Sequence, residues 1–221
     1  MLVKICGLSN FIDAKSAVDS GADALGFVMG GKILPVEVEP PAQLVRKWIA
    51  DLPKNVDTFI VSHFTNVQDL LDLANYVRSS GIQVSESLTG AQLKELRNAT
   101  NKKIIKTVPA DGPGAVNYLK EVEPYCDFLL LDSVVNGYIG GTGHPNDWDL
   151  CAQLVRAAKK PVFVAGGLNP ENLLNVMKIT APQGVDISTG VSTFSDTYLR
   201  KDRKDPKAIR MFIERAKAPV K

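Results

Sequence analysis

Histidine and cysteine are scarce in this chain, with two and three among 221 residues. His63 and His144 are too few and too far apart for a metal cluster. Cys6, Cys126 and Cys151 are odd in number and widely spaced, which excludes a disulfide framework and a paired-cysteine metal site. Charge of one sign is lacking as well. A formal net charge of +2 gives no bulk electrostatic case for nucleic acid. The basic run Arg200-Lys201-Asp202-Arg203-Lys204 is broken by an acid and reads as a solvated loop. No segment approaches the roughly 18 apolar residues of a membrane span, and the N-terminal stretch does not resemble a secretory signal. These absences predict a cytoplasmic protein without membrane or nucleic-acid partners and without a metal.

What is present is the balance of a globular chain, with 45% hydrophobic and 23% charged residues. Short apolar runs alternate with longer amphipathic ones. Strands are predicted at 2–6, 24–28, 57–61, 82–84, 103–107, 127–131, 161–165 and 184–187. Several are apolar throughout rather than alternating, as parallel strands covered on both faces require. Helices are predicted at roughly 10–20, 40–51, 66–78, 89–98, 113–122, 147–159, 170–178 and 205–217. Asn10, Asn66 and Thr89 stand where N-caps belong, and Asn169-Pro170-Glu171 has the order cap, first-turn proline, acid. Gly21, Gly81 and Gly90 read as stops or turns. Eight strand–helix pairs without a linker-like break predict an α/β fold, a single (β/α)8 TIM barrel over residues 1–221. A doubly wound open sheet carries similar alternation.

The unusual residues decide between them. Cys6, Lys106, Asp132, Gly166-Gly167 and Ser188-Thr189-Gly190 all fall at the C-terminal ends of different strands, which converge on one mouth in a barrel. Gly140-Gly141-Thr142-Gly143, Gly166-Gly167 and Ser188-Thr189-Gly190 are stretches whose backbone N–H groups and hydroxyls suit a phosphate. The last two follow the seventh and eighth strands, the usual phosphate position in this fold. The first is no Walker motif, since no Gly-Lys-Ser/Thr follows at P-loop spacing. Asp132 closes Phe128-Leu129-Leu130-Leu131, where burial favours a protonated acid; taken alone it reads rather as a cap or ion pair. Cys6 across the mouth supplies a base. Lys4, on the same side of its strand as Cys6, is a further candidate substrate contact or salt-bridge partner. Lys106 is a candidate for attracting phosphate or lowering the thiol pKa. His63 is placed to reach the mouth or to sit solvated beside it.

The ordered segments Val3-Lys4-Ile5-Cys6-Gly7-Leu8, Gly21-Ala22-Asp23-Ala24-Leu25-Gly26-Phe27-Val28, Leu129-Leu130-Leu131-Asp132-Ser133, Gly140-Gly141-Thr142-Gly143, Ala165-Gly166-Gly167-Leu168-Asn169-Pro170-Glu171-Asn172 and Gly184-Val185-Asp186-Ile187-Ser188-Thr189-Gly190-Val191 resemble the phosphoribosylanthranilate isomerase family over nearly the whole chain. The resemblance implies a cofactor-free (β/α)8 barrel of tryptophan biosynthesis. It implies an Amadori rearrangement of N-(5-phosphoribosyl)anthranilate, a small phosphosugar, by a monomer or homodimer. It further implies that Asp132 is the general acid, Cys6 the general base, and Gly141, Thr142, Gly143, Gly166, Gly167, Ser188, Thr189 and Gly190 the phosphate grip. Three departures stand out. Residues 30–39 carry Lys32 but no arginine to face the anthranilate carboxylate. The family's Gln-Leu-His-Gly is Gln83-Val84-Ser85-Glu86. Ser192 replaces the glutamate that follows Ser-Gly-Val. Either Lys32 or His63 meets the carboxylate, or the substrate is another phosphosugar of an isomerase or epimerase. A non-catalytic phosphosugar-binding barrel is the reading from another class; the presence of both Cys6 and Asp132 speaks against it.

Overall fold

A computed structural model describes residues 1–31, 38–85, 88–135, 138–139, 145–194 and 199–219. Eight parallel strands close into a barrel: β1 (Leu2–Ile5), β2 (Ala24–Gly31), β3 (Asp57–His63), β4 (Gly81–Val84), β5 (Lys103–Pro109), β6 (Phe128–Asp132), β7 (Val162–Val164) and β8 (Gly184–Ile187). Each strand pairs with its neighbours in sequence, and β1 closes the ring on β8 in the register Lys4 to Asp186. Eight helices follow: α1 (Phe11–Asp19), α2 (Ala42–Asp51), α3 (Val67–Val77), α4 (Gly90–Ala99), α5 (Ala115–Val122), α6 (Trp148–Ala157), α7 (Leu173–Thr180) and α8 (Pro206–Lys217). The barrel expected from the alternation is therefore the fold observed. No helix among the described residues is long and apolar enough to cross a membrane.

Local chemistry explains most helix starts. The side chains of Asn10, Asn66, Asp147 and Asp205 each accept a backbone N–H of the first turn, and Thr89 with Gln92 forms a reciprocal capping box. Asn169 accepts the Asn172 N–H at 2.8 Å and donates its own N–H to the Asn172 side chain at 2.9 Å, the reciprocal pattern of a cap, and its carbonyl accepts the N–H of Leu173, where α7 begins. Two readings need correcting. Gly90 is the first residue of α4 rather than a stop. Gly81 opens β4, where a Cβ would lie 2.2 Å from the Phe59 ring, so its smallness admits that ring to the interior.

Side-chain alternation sorts the strands into two faces. Val3, Ile5, Leu25, Phe27, Ile104, Leu129, Leu131 and Val185 pack outward against the helices. Ala24, Phe59, Ile105, Leu130, Phe163 and Ala165, contributed by five strands and the residue beyond β7, meet as a separate cluster inside the barrel. Above them Cys6, Val28 and Val61 form a small cluster toward the C-terminal mouth. The interior is thus a packed floor beneath a polar mouth.

The run Arg200–Lys204, expected as a solvated loop, is not one. Leu199–Lys204 is a strand, paired antiparallel with Ser192–Phe194. Its alternation leaves the Arg203 side chain 45% exposed and turns Lys204 inward at 2% exposure. A second short hairpin joins Val134–Val135 to Tyr138–Ile139.

Candidate active site

Cys6 stands one residue beyond β1, 6% exposed, with its backbone N–H donated to the Ile187 carbonyl at 2.8 Å. Its Sγ and the Lys4 ammonium converge over Gly26, where a Cβ would lie 2.8 Å from Sγ and 3.0 Å from Nζ. Lys4 is fully buried and donates to Asp186 at 2.9 Å. Burial pushes the Cys6 thiol up to about 11, against the downward pull of the Lys4 ammonium; Asp186 adds to the rise and Lys204 opposes it. The Lys4 ammonium is itself held above its usual range. Burial works against its charge, and Asp186 and Cys6 outweigh burial.

Asp132 ends β6 half-buried, and its carboxylate accepts the Ser133 backbone N–H at 2.8 Å. It shares with Asp186 a cleft of about 330 Å³ whose remaining walls are residues 165–169, Glu171 and residues 187–190. Gly166 and Gly167 take positive φ of 83° and 62°, open to glycine at little cost. A Cβ on Gly166 would also crowd Asp132 Oδ1 at 3.1 Å. Asn172 holds the loop through a 2.9 Å bond to the Gly167 carbonyl. The two loops touch at Gly190, where a Cβ would lie 1.9 Å from the Leu168 carbonyl oxygen. Gly190→Ala should therefore force the loops apart at the overpacking cost of about 1–3 kcal/mol. Thermal unfolding should fall by roughly 3–10 °C; an unchanged Tm would show that the loops do not depend on this contact.

The structure thus gathers Lys4, Cys6, Asp132, Gly166, Gly167, Ser188, Thr189 and Gly190 at one mouth. His63 ends β3 buried, on the inward face with Val61. Lys106 is not brought there. It shares the outward face of β5 with Ile104 and Val108, and its ammonium donates to the Val84 and Thr107 carbonyls and lies 5.7 Å from the Tyr118 ring centre. Lys32, Gly141, Thr142, Gly143 and His144 lie outside the described residues.

Sequence reasoning missed three participants. Asn146 is buried and ties the exits of β6 and β7 by donating to the Leu131 and Ala165 carbonyls at 3.4 and 2.9 Å. Gln83, on the inward face of β4, buries its amide oxygen without a hydrogen-bond partner among the described residues. Lys204 donates to the Ser188 carbonyl, the Ser188 hydroxyl and the Ser192 hydroxyl at 3.0, 3.3 and 3.2 Å. Gln83 stands in the segment Gln83-Val84-Ser85-Glu86 already singled out, and Lys204 directly precedes the Asp205-Pro206 helix start, where the chain turns back to the barrel.

Known proteins resemble this chain in sequence and in fold. The N-(5'-phosphoribosyl)anthranilate isomerase of Methanothrix thermoacetophila is 32% identical over 221 residues, covering 98% of each chain. The solved phosphoribosyl anthranilate isomerase of Thermotoga maritima superposes with a TM-score of 0.84 at 30% identity over 98% of each chain. A solved phosphoribosyl anthranilate isomerase in complex with reduced 1-(o-carboxyphenylamino)-1-deoxyribulose 5-phosphate gives 0.80 at 28% identity, again over 98% of each. The profile of the N-(5'-phosphoribosyl)anthranilate isomerase family runs from residue 3 to 215, from the strand that delivers Cys6 to the helix that follows Lys204. A match that takes in every barrel strand but the first residue of β1, together with both loops of the cleft, makes this chain a member of the N-(5'-phosphoribosyl)anthranilate isomerase family.

Proposed function

We propose that the chain catalyses the Amadori rearrangement of N-(5'-phosphoribosyl)anthranilate to 1-(2-carboxyphenylamino)-1-deoxyribulose 5-phosphate in tryptophan biosynthesis. The observation that carries this reading is the joint placement of a thiol, a carboxyl group and a cleft between two glycine-bearing loops at one barrel mouth, in a chain of this family. The phosphate sits between loops 166–167 and 188–190. From β6, Asp132 gives a proton to the ribose ring oxygen as the C1–O bond breaks, which leaves a Schiff base between C1 and the anthranilate nitrogen. From β1, the Cys6 thiolate removes the C2 proton. The C–H electron pair becomes a C1–C2 double bond and the imine nitrogen is neutralised. The resulting enolamine tautomerises to the ketone. A small phosphosugar is the partner this cleft accommodates, and the working unit is a monomer or homodimer.

Purified protein given N-(5'-phosphoribosyl)anthranilate should convert it to the ketose product. Expression should restore growth without tryptophan to a host lacking this isomerase. Folded protein that does neither overturns the reading. One observation favours a second reading, an isomerase of another phosphosugar: residues 30–39 contain Lys32 and no arginine. A lysine meets a carboxylate as a point charge without a bidentate fork. Turnover of an aldose phosphate without the aromatic acid, and none of the anthranilate conjugate, would select it.

A further inference from the structure

Lys204 belongs to a basic run that sequence composition assigns to solvent, yet after Lys4 and Lys106 it is the most enclosed cationic residue among the described ones. Three features bring it there. The antiparallel pairing of Leu199–Lys204 with Ser192–Phe194 turns its side chain inward. Its backbone N–H is held by the buried Asp13 carboxylate of α1 at 2.8 Å, and that carboxylate also accepts from Asn10 at 2.7 Å and faces Arg203 at 3.5 Å. Gly7, at φ +66°, leaves the space above β1 open: a Cβ there would lie 2.5 Å from the Ser188 hydroxyl and 3.3 Å from Lys204 Nζ. The ammonium therefore sits where the exit of β1 meets the exit of β8. It is bonded to both oxygens of Ser188, a wall of the cleft, and to Ser192 just beyond it.

We infer that Lys204 is a positioning residue shared by the two halves of the site: it holds the Ser188 turn of the phosphate seat against the strand exit that carries Cys6. The inference rests on the reading of loops 166–167 and 188–190 as that seat. A cation bonded to the Ser188 carbonyl fixes the peptide plane from which the 188–190 turn departs, and its field favours a dianion in the cleft beyond. The same charge reaches the thiol. Cys6 faces Lys4 from its own strand, Asp186 from β8 and Lys204 from the hairpin, and Lys204 is among the charges that ease its ionisation. The seat and the base would then respond together to the loss of one lysine that touches neither the sugar nor the thiol hydrogen.

The test compares Lys204→Met, Lys204→Gln and Lys204→Arg in the full chain, with native circular dichroism as the entry condition. Lys204→Gln keeps a hydrogen-bonding end and carries the test if Lys204→Met does not fold. Inorganic phosphate binding, measured by calorimetry, should weaken about tenfold in the neutral variants, as expected for one charge-assisted hydrogen bond, and Lys204→Arg should recover part of it. KM for the phosphosugar should rise with the phosphate dissociation constant, while kcat falls less. Alkylation of Cys6 by iodoacetamide at pH 9, followed peptide by peptide to separate it from Cys126 and Cys151, should slow about threefold, because less thiolate is present. Phosphate affinity and Cys6 alkylation both within twofold of the unsubstituted protein in folded Lys204→Gln would overturn the inference. So would a Lys204→Arg variant no better than Lys204→Met. Absence of phosphate binding in the unsubstituted protein is a different result, since it removes the phosphate-seat reading itself.

Discussion

Replacing Cys6 by alanine or Asp132 by asparagine should lower kcat about 10²–10⁴-fold each, the usual contribution of a positioned base or acid, with KM changed far less. Neither substitution should unfold the barrel. Cys6 packs at the edge of a three-residue cluster rather than in the main core, and asparagine at 132 still accepts the Ser133 N–H. The double variant should be little worse than the poorer single one, because the two groups serve one proton inventory. That inventory also dictates the pH dependence. The working pair is carboxylic acid plus thiolate, which holds one proton, as does the more populated pair of carboxylate plus thiol. Activity therefore does not follow the thiolate fraction: kcat/KM should be level through neutral pH and decline only as the shared proton is lost. The Cys6 thiol is pushed up to about 11 by burial, so the decline belongs at that alkaline end. A kcat/KM that instead climbs about tenfold per pH unit between pH 7 and 9 would mean that only a thiolate is needed and that Asp132 supplies no proton. Full turnover by Cys6→Ala would remove the thiol from the mechanism altogether.

Sequence patterns disclosed the alternation that closes the barrel, because apolar runs bounded by caps and glycines are local signals. They also brought Cys6, Asp132 and the loops at 166–167 and 188–190 to one mouth, because polar groups at strand exits must share it once the strands are parallel; the 140–143 stretch lies outside the described residues. Lys106 shows where such reasoning stops. Strand β5 is buried on both faces and carries one buried polar residue on each, so composition cannot distinguish the parity of 104, 106 and 108 from that of 105 and 107. Register against β4 and β6 turns Lys106 outward and Thr107 inward. Lys204 fails for the opposite reason. A run of charges resembles a solvated loop, yet pairing of Lys204 with Ser192 turns that one side chain inward while Arg203 stays exposed. Asn146 gave no signal at all, since its partners are backbone carbonyls at the ends of two strands distant in sequence. Contacts made by backbone atoms are invisible to residue type.

The largest effect on stability should come from Asp186→Ala. Lys4 and Asp186 meet at 2.9 Å with the Lys4 side chain fully enclosed and Asp186 nearly so, directly across the seam that closes the barrel. Removing the carboxylate strands an ammonium in the interior, at about 3–5 kcal/mol for a broken buried pair. Denaturant unfolding should register most of that loss as a lower midpoint with an unchanged slope. Lys4→Met should cost less, because Asp186 borders the open cleft and keeps access to water there. The double change Lys4→Met with Asp186→Leu should recover stability relative to Asp186→Ala, since a well-packed apolar pair often matches a buried ionic one. The sign of the pH dependence follows from Lys4. Its folded pKa lies above the ordinary lysine value of 10.5, so the pair's stabilisation is present below that value and is lost as pH rises through the folded pKa. In the Asp186→Ala variant that alkaline loss should vanish. An apolar seam would close the barrel as well as an ionic one, so stability alone does not account for charges at this place. What the apolar double variant cannot supply is the Lys4 ammonium beside Sγ, the strongest influence drawing the Cys6 thiol down. A double variant as stable as the parent, with Cys6 alkylation at pH 9 slowed about tenfold or more, would assign the buried pair to the base rather than to the fold; unslowed alkylation would assign it to the fold alone.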